Sequence, residues 1–273
     1  MYGTGLPDPQ GLANAVIGKC SMISGHVRAT KYVAAFGLRS TVTLLRSPLE
    51  RYISEFNHHV GRGFKGTWRQ HIKMRRNYVG GHVGERYTFL LSAQIVPMQA
   101  YGFIGLTDQY EQTLELFDAA YGTNLTVANK NRRSYKMPED ASDLDEELKV
   151  DNALYATAKV IFRERLRIMK ACKPYAHGGI DSVDGDTVRG WAWWARSDEA
   201  LSVRILIDGK DIGKANAELP HRLLEFGAPR NGYVGFVFKI PASDQQRTLR
   251  CEVAETGQLL GEQIVPRLLQ QSS

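Results

Sequence analysis

Arg46, Arg51 and Ser54 are spaced as anion-binding groups around a short stretch that opens with Ser47-Pro48-Leu49-Glu50. A guanidinium presents a planar fork of donors that matches phosphate or sulfate oxygens in pairs. A serine hydroxyl two turns further on adds another donor. Free backbone N–H groups and the dipole at a helix start favour negative charge at the same place. The chemistry open to this set is the holding of a phosphate-like group. The same residues also fit a plainer arrangement, with Arg46 paired to a carboxylate and Ser54 solvated.

A strand and a helix are needed to place these groups. Residues 40–45 (STVTLL) are β-branched and apolar and read as a short buried strand. Beyond Arg46, Ser47 suits an N-cap, Pro48 the first helical position, and Glu50 the third position of a capping box. Leu49, Tyr52, Ile53 and Phe56 recur at helical spacing as a buried stripe. Arg51, Ser54 and His58 fall on the opposite side. A second helix is expected from Thr107-Asp108, presenting Tyr110, Leu114 and Phe117 and stopping at Gly122. A third starts at Asp151, with Leu154, Ala158, Phe162 and Leu166 in register. The acidic run 140–147 reads as an exposed connection.

From about Gly178 the pattern shortens to strand-like runs at 187–195, 201–208, 233–240, 247–254 and 258–265. Asp208-Gly209 is a hairpin-turn signal. The expected organisation is an α/β domain over 1–175 and a small all-β sandwich over 176–273, with the boundary inside 172–179. Trp191 and Trp193 share one face of an alternating strand, a pattern of core rather than of a sugar-stacking platform.

Length and composition agree with two folded units. The 273 residues are 43% hydrophobic and 23% charged, which excludes a disordered tail, a collagen-like fibre and a disulfide miniprotein. Cys20, Cys172 and Cys251 have neither zinc nor disulfide spacing, and a reducing compartment suits them. The longest apolar stretches, around 95–106, are too short to span a bilayer, and no signal-peptide pattern opens the chain. A cytoplasmic protein is the expectation, with peripheral membrane association left open. Charge is uneven: residues 1–175 carry net +8, residues 176–273 net −2, and 46–86 alone net +6. Such a cluster attracts phosphate, sulfate, nucleic acid or an acidic polysaccharide, or forms a solvated arginine-rich surface. Lys65, Trp68 and Arg69 fit the lining of an anionic-glycan groove and equally an ordinary basic loop. His58, His59, His71 and His82 follow no metal-binding spacing.

The run 43–59 (TLLRSPLERYISEFNHH) resembles the 3′-phosphate motif of carbohydrate sulfotransferases that use 3′-phosphoadenosine 5′-phosphosulfate (PAPS). The likeness is greatest to the group of heparan sulfate 2-O- and 6-O-sulfotransferases. Arg46, Pro48, Arg51 and Ser54 match in order and spacing, with Ser47 in place of the usual Asp. Ile23-Ser24-Gly25-His26 is similar to the family's Gly-His segment. Gly105-Leu106-Thr107 with Leu114-Glu115-Leu116-Phe117 resembles its next block, 129–133 (NKNRR) a donor-contacting loop, and Asn152-Ala153-Leu154-Tyr155 its last helix. These segments run in family order from roughly residue 20 to residue 170.

What the resemblance implies is a P-loop-type sulfotransferase parallel sheet with flanking helices. PAPS would be the donor, with no metal, and the acceptor a hydroxyl of a polysaccharide or glycolipid sugar; nucleic acid is not expected as a partner. His26 would be the catalytic base, and Arg46, Arg51, Ser54, Lys130, Arg132 and Arg133 would hold the nucleotide. The family's Lys-Thr-Gly-Gly-Thr-like loop for the 5′-phosphosulfate has no counterpart in MYGTGLPDPQ, so the sheet is expected to be N-terminally truncated. The alternative function is that of a catalytically inactive remnant that binds glycans or anions. The β-rich part, through Gly179-Ile180-Asp181 and Gly190-Trp191-Ala192, resembles a small module appended to bacterial glycosyltransferases and related glycan enzymes.

Overall fold

The structure, a computed structural model, describes residues 8–16, 33–71, 96–127, 144 and 148–266. The chain is mixed α/β, with a small parallel sheet and two antiparallel sheets towards its C-terminal part. It divides into two compact units: Met1–Val42, Val96–Phe103 and Glu164–Ser273 form one, Thr43–Ile95 and Ile104–Arg163 the other. The parallel sheet pairs β1 (Val42–Leu45) with β2 (Phe103–Leu106).

The first unit opens with α1 (Pro9–Val16) and α2 (Val33–Phe36). Its bulk is the eight strands β3 (Ala176–Asp184), β4 (Thr187–Trp194), β5 (Leu201–Ile207), β6 (Lys210–Ala217), β7 (Leu219–Pro220), β8 (Tyr233–Lys239), β9 (Arg247–Val253) and β10 (Leu259–Val265). The strand orders are β10-β9-β5-β6 and β3-β4-β8-β7. Alternation along β5 points Leu201, Val203, Ile205 and Ile207 into one core with Leu249, Cys251 and Val253. Val188, Ala192 and Phe236 of the second sheet close that core from the other side. Burial pushes the Cys251 thiol up to about 12, so this cysteine packs as a hydrophobe. Asp208 (φ 49°) and Gly209 (φ 78°) are both left-handed, the two-residue turn that joins Ile207 to Lys210 in the β5–β6 hairpin.

Trp191 and Trp193 are buried and stacked, 4.7 Å between ring centroids, but they lie on the face of β4 opposite Val188 and Ala192. They belong to a second buried layer within this unit. His177 stacks on Trp193 at 5.6 Å, and its Nδ1–H donates to the Gln99 carbonyl at 3.0 Å. Arg165 donates to the Tyr101 carbonyl at 3.0 Å and lies 4.7 Å from the Tyr175 ring centroid. Arg39 donates to the carbonyls of Trp194 (2.8 Å) and Ser197 (2.5 Å) and pairs with Asp198 at 2.6 Å. The outer face of the β3–β4 sheet around Trp193 and His177 is therefore covered by the chain's own earlier segments.

One side chain closes the start of β3. The Gln258 amide oxygen accepts from the Ala176 N–H at 2.8 Å, and its nitrogen donates to the Ala176 carbonyl at 2.6 Å, copying a neighbouring strand. Gln258→Leu keeps the volume and strands both backbone groups in a buried place. We expect a loss of about 2–4 kcal/mol, read as a lower urea midpoint; an unshifted midpoint would show that water replaces the amide.

In the second unit, α3 (Pro48–Gly61) buries Tyr52 and Ile53, flanked by Leu49 and Phe56, as the apolar spacing requires. In α4 (Tyr110–Tyr121) the fully buried positions are Thr113 and Leu116, while Tyr110, Leu114 and Phe117 are half-buried. The expected face is thus rotated, because the Thr113 hydroxyl both accepts from the Leu106 N–H and donates to the Leu106 carbonyl, each at 2.9 Å. Gly122 ends α4 in a left-handed conformation (φ 67°), its N–H donating to the Asp118 carbonyl at 2.7 Å. The last helix, α5 (Lys149–Lys170), buries Asp151, Tyr155, Ala158 and Phe162, and leaves Leu154 and Leu166 half-buried. Leu144, inside the acidic run expected to be exposed, is buried against Tyr52 and Trp68.

Candidate anion-binding site

The candidate site sits where β1 hands the chain to α3. Parallel strands end on the same side, so the residues that follow Leu45 and Leu106 leave the sheet at one edge, each on its way into a helix. In open α/β sheets that edge is where ligands bind. Arg46 and Ser47 are the only residues between β1 and α3. Pro48 takes the first helical position, and the first turn closes through the Arg51 N–H donating to the Ser47 carbonyl at 2.9 Å.

The expected capping box does not close. Ser47 makes no side-chain cap hydrogen bond. Glu50 instead turns one helical turn back to Arg46, with Nε to Oε2 at 3.4 Å. The guanidinium, a full charge, attracts the carboxylate more strongly than a single backbone N–H does. The pair is solvated, 33% of the Arg46 side chain and 55% of the Glu50 side chain being exposed. Arg51 and Ser54 are half-buried on the polar side of α3, with His58 exposed beyond them.

The three residues read as a possible glycan groove separate. Trp68 is 7% exposed and packs edge-on against Tyr52 and Phe56, both at 5.0 Å, as part of the hydrophobic core of its unit. Lys65 and Arg69 are exposed. The same cluster holds a pair that sequence spacing did not reveal: His71 is fully buried with its Nε2 at 3.0 Å from His59 Nδ1. Tyr52, Phe56, Phe64 and Trp68 surround the His71 ring. Only a fold that brings residue 71 back to α3 makes that pairing visible.

His26, Lys130, Arg132 and Arg133 lie outside the described residues. Among the described residues, no group of three or more His, Cys, Asp or Glu side chains converges as a metal site. Among them, too, no helix is long and apolar enough to cross a membrane. No protein-family model matches this sequence, and no curated protein or solved structure shows significant similarity to it.

Proposed function

We propose that the β1–α3 junction holds the 3′-phosphate of PAPS, and that the chain transfers the sulfuryl group to a hydroxyl of a polysaccharide or glycolipid sugar. The observation that supports this reading is the position of Arg46 directly after the strand, one residue before the cap, with Arg51 and Ser54 on the polar side of the helix that follows. That is the order in which the resembling motif presents its phosphate ligands. In the reaction, the acceptor oxygen attacks sulfur as the bond from sulfur to the 5′-phosphate oxygen breaks. Adenosine 3′,5′-bisphosphate leaves with the bonding pair, and the hydroxyl proton passes to a base. His26 has that role in this reading, since a neutral imidazole is suited to accept a proton near neutral pH. Lys130, Arg132 and Arg133 contact the nucleotide and offset charge on the leaving phosphate. Lys65 and Arg69 supply cations for the acceptor side, and Trp68 stays in the core.

Calorimetric titration with adenosine 3′,5′-bisphosphate and with adenosine 5′-monophosphate tests the donor site. Preference for the bisphosphate is expected, and Arg46→Ala should weaken it by about 1.5–3 kcal/mol, the worth of a hydrogen bond to a charged group. Equal affinity for the two nucleotides, or no binding, overturns the assignment. Bisphosphate binding without sulfate transfer from labelled PAPS to any polysaccharide would favour the inactive anion binder.

A further inference from the structure

We infer that Glu50 is an internal competitor for the donor phosphate, drawing on the same Arg46 charge that the phosphate would use; this rests on the phosphate reading of the β1–α3 junction. Two observations on neighbouring residues carry it. Glu50 stands where it would cap the helix start, yet its carboxylate pairs with Arg46 Nε at 3.4 Å. Ser47, the other residue able to cap, makes no side-chain bond to the first turn. The helix start is thus left without a side-chain cap from either residue, and Arg46, just before the cap position, pairs with a carboxylate four residues along.

A phosphate arriving at the first turn meets backbone N–H donors and the positive end of the helix dipole. It also meets Glu50, whose carboxylate lies 3.4 Å from Arg46 Nε. The two anions draw on the charge of one guanidinium, so the Arg46–Glu50 pair weakens the hold of Arg46 on a phosphate. The pair is solvent-exposed and therefore weak, so its effect is modest. Glu50 lowers what Arg46 contributes to an anion bound at the first turn. This makes Glu50 an affinity-tuning residue that touches no ligand.

A double-mutant cycle on the full chain separates this from a general effect of removing one negative charge. Affinity for adenosine 3′,5′-bisphosphate is measured in the wild type, Glu50→Gln, Arg46→Gln and the double variant. Glu50→Gln should bind roughly twofold to fivefold more tightly, the range of an exposed ion pair near a helix start. In the Arg46→Gln background the same change should alter affinity by less than about 1.5-fold, because the paired cation is gone. A wild type that prefers the bisphosphate while Glu50→Gln leaves affinity unchanged overturns the competitor and spares the site. A gain that persists without Arg46 also overturns it, since it would then reflect charge alone. A wild type with no preference for the bisphosphate removes the site, and the competitor with it.

Discussion

A Gly102→Ala substitution is expected to destabilise the first unit by more than about 3 kcal/mol, at the upper end of what overpacking costs. Gly102 passes directly beneath the backbone of Arg39. Its N–H donates to the Leu38 carbonyl at 2.9 Å, and the next residue, Phe103, donates to the Thr41 carbonyl at 3.2 Å. A Cβ at position 102 would fall inside the Arg39 carbonyl group, 2.7 Å from its carbon and 3.2 Å from its Cα. The obstacle is main chain, so no side-chain rotation relieves it. Arg39 cannot retreat either, since its guanidinium is fixed to Asp198, Trp194 and Ser197. Relief would break those contacts or the hydrogen bonds on either side of Gly102. Gly61→Ala serves as the control, because a Cβ there meets nothing within 4 Å. Urea unfolding of both variants decides the matter: equal midpoints would mean that the 38–42 and 99–103 segments separate at little cost.

The parts of the fold that the sequence made legible are those stabilised by local rules. α3 combines a proline at the first helical position with an apolar stripe, and both features act over one or two turns. The β5–β6 hairpin follows from Asp208-Gly209, because a two-residue turn needs both residues left-handed. β3 was not legible as a strand. Its sequence, AHGGIDSVD, has a glycine pair and a histidine where apolar alternation should run, and its start is completed by Gln258, 82 positions away. The α4 register slipped, and that of α5 held at Ala158 and Phe162 but not at Leu154 and Leu166, for a related reason. Periodicity counts apolar residues, whereas α4 and α5 bury Thr113, Asp151 and Arg165. At the site, the polar side with Arg51 and Ser54 was legible from spacing alone. The behaviour of Glu50 was not, because a capping box and an Arg46 pair are both local solutions for the same carboxylate. Trp68 shows the limit most plainly: an aromatic among cations reads the same in a groove as in a core until Tyr52 and Phe56 are placed against it.

Acidification is expected to weaken the first unit through one buried histidine. His177 is 1% exposed, between Trp193 and Tyr175. A carbonyl can only accept, so the 3.0 Å contact with Gln99 fixes the proton on Nδ1 in the neutral ring. Burial, then the nearby Arg165 guanidinium, and to a lesser degree Arg39, push its pKa down to about 3, against the opposing pull of the Gln99 carbonyl. The unfolded chain releases this constraint and takes up a proton near pH 6.5. Between those two values the unfolded state binds more protons than the folded one, so stability rises with pH across that window and is complete above it. Falling from pH 6.5 towards pH 3 should cost on the order of 4 kcal/mol from this group alone, at about 1.4 kcal/mol per unit. His177→Gln retains an N–H donor for the Gln99 carbonyl and cannot titrate. Its stability should therefore fall less steeply than the wild type's between pH 6 and pH 4, even where it is less stable at neutral pH. Carboxylates elsewhere contribute to both slopes equally, so the difference between the two profiles isolates the imidazole. Parallel profiles would mean that His177 keeps its ordinary pKa and that the layer beneath Trp193 admits water.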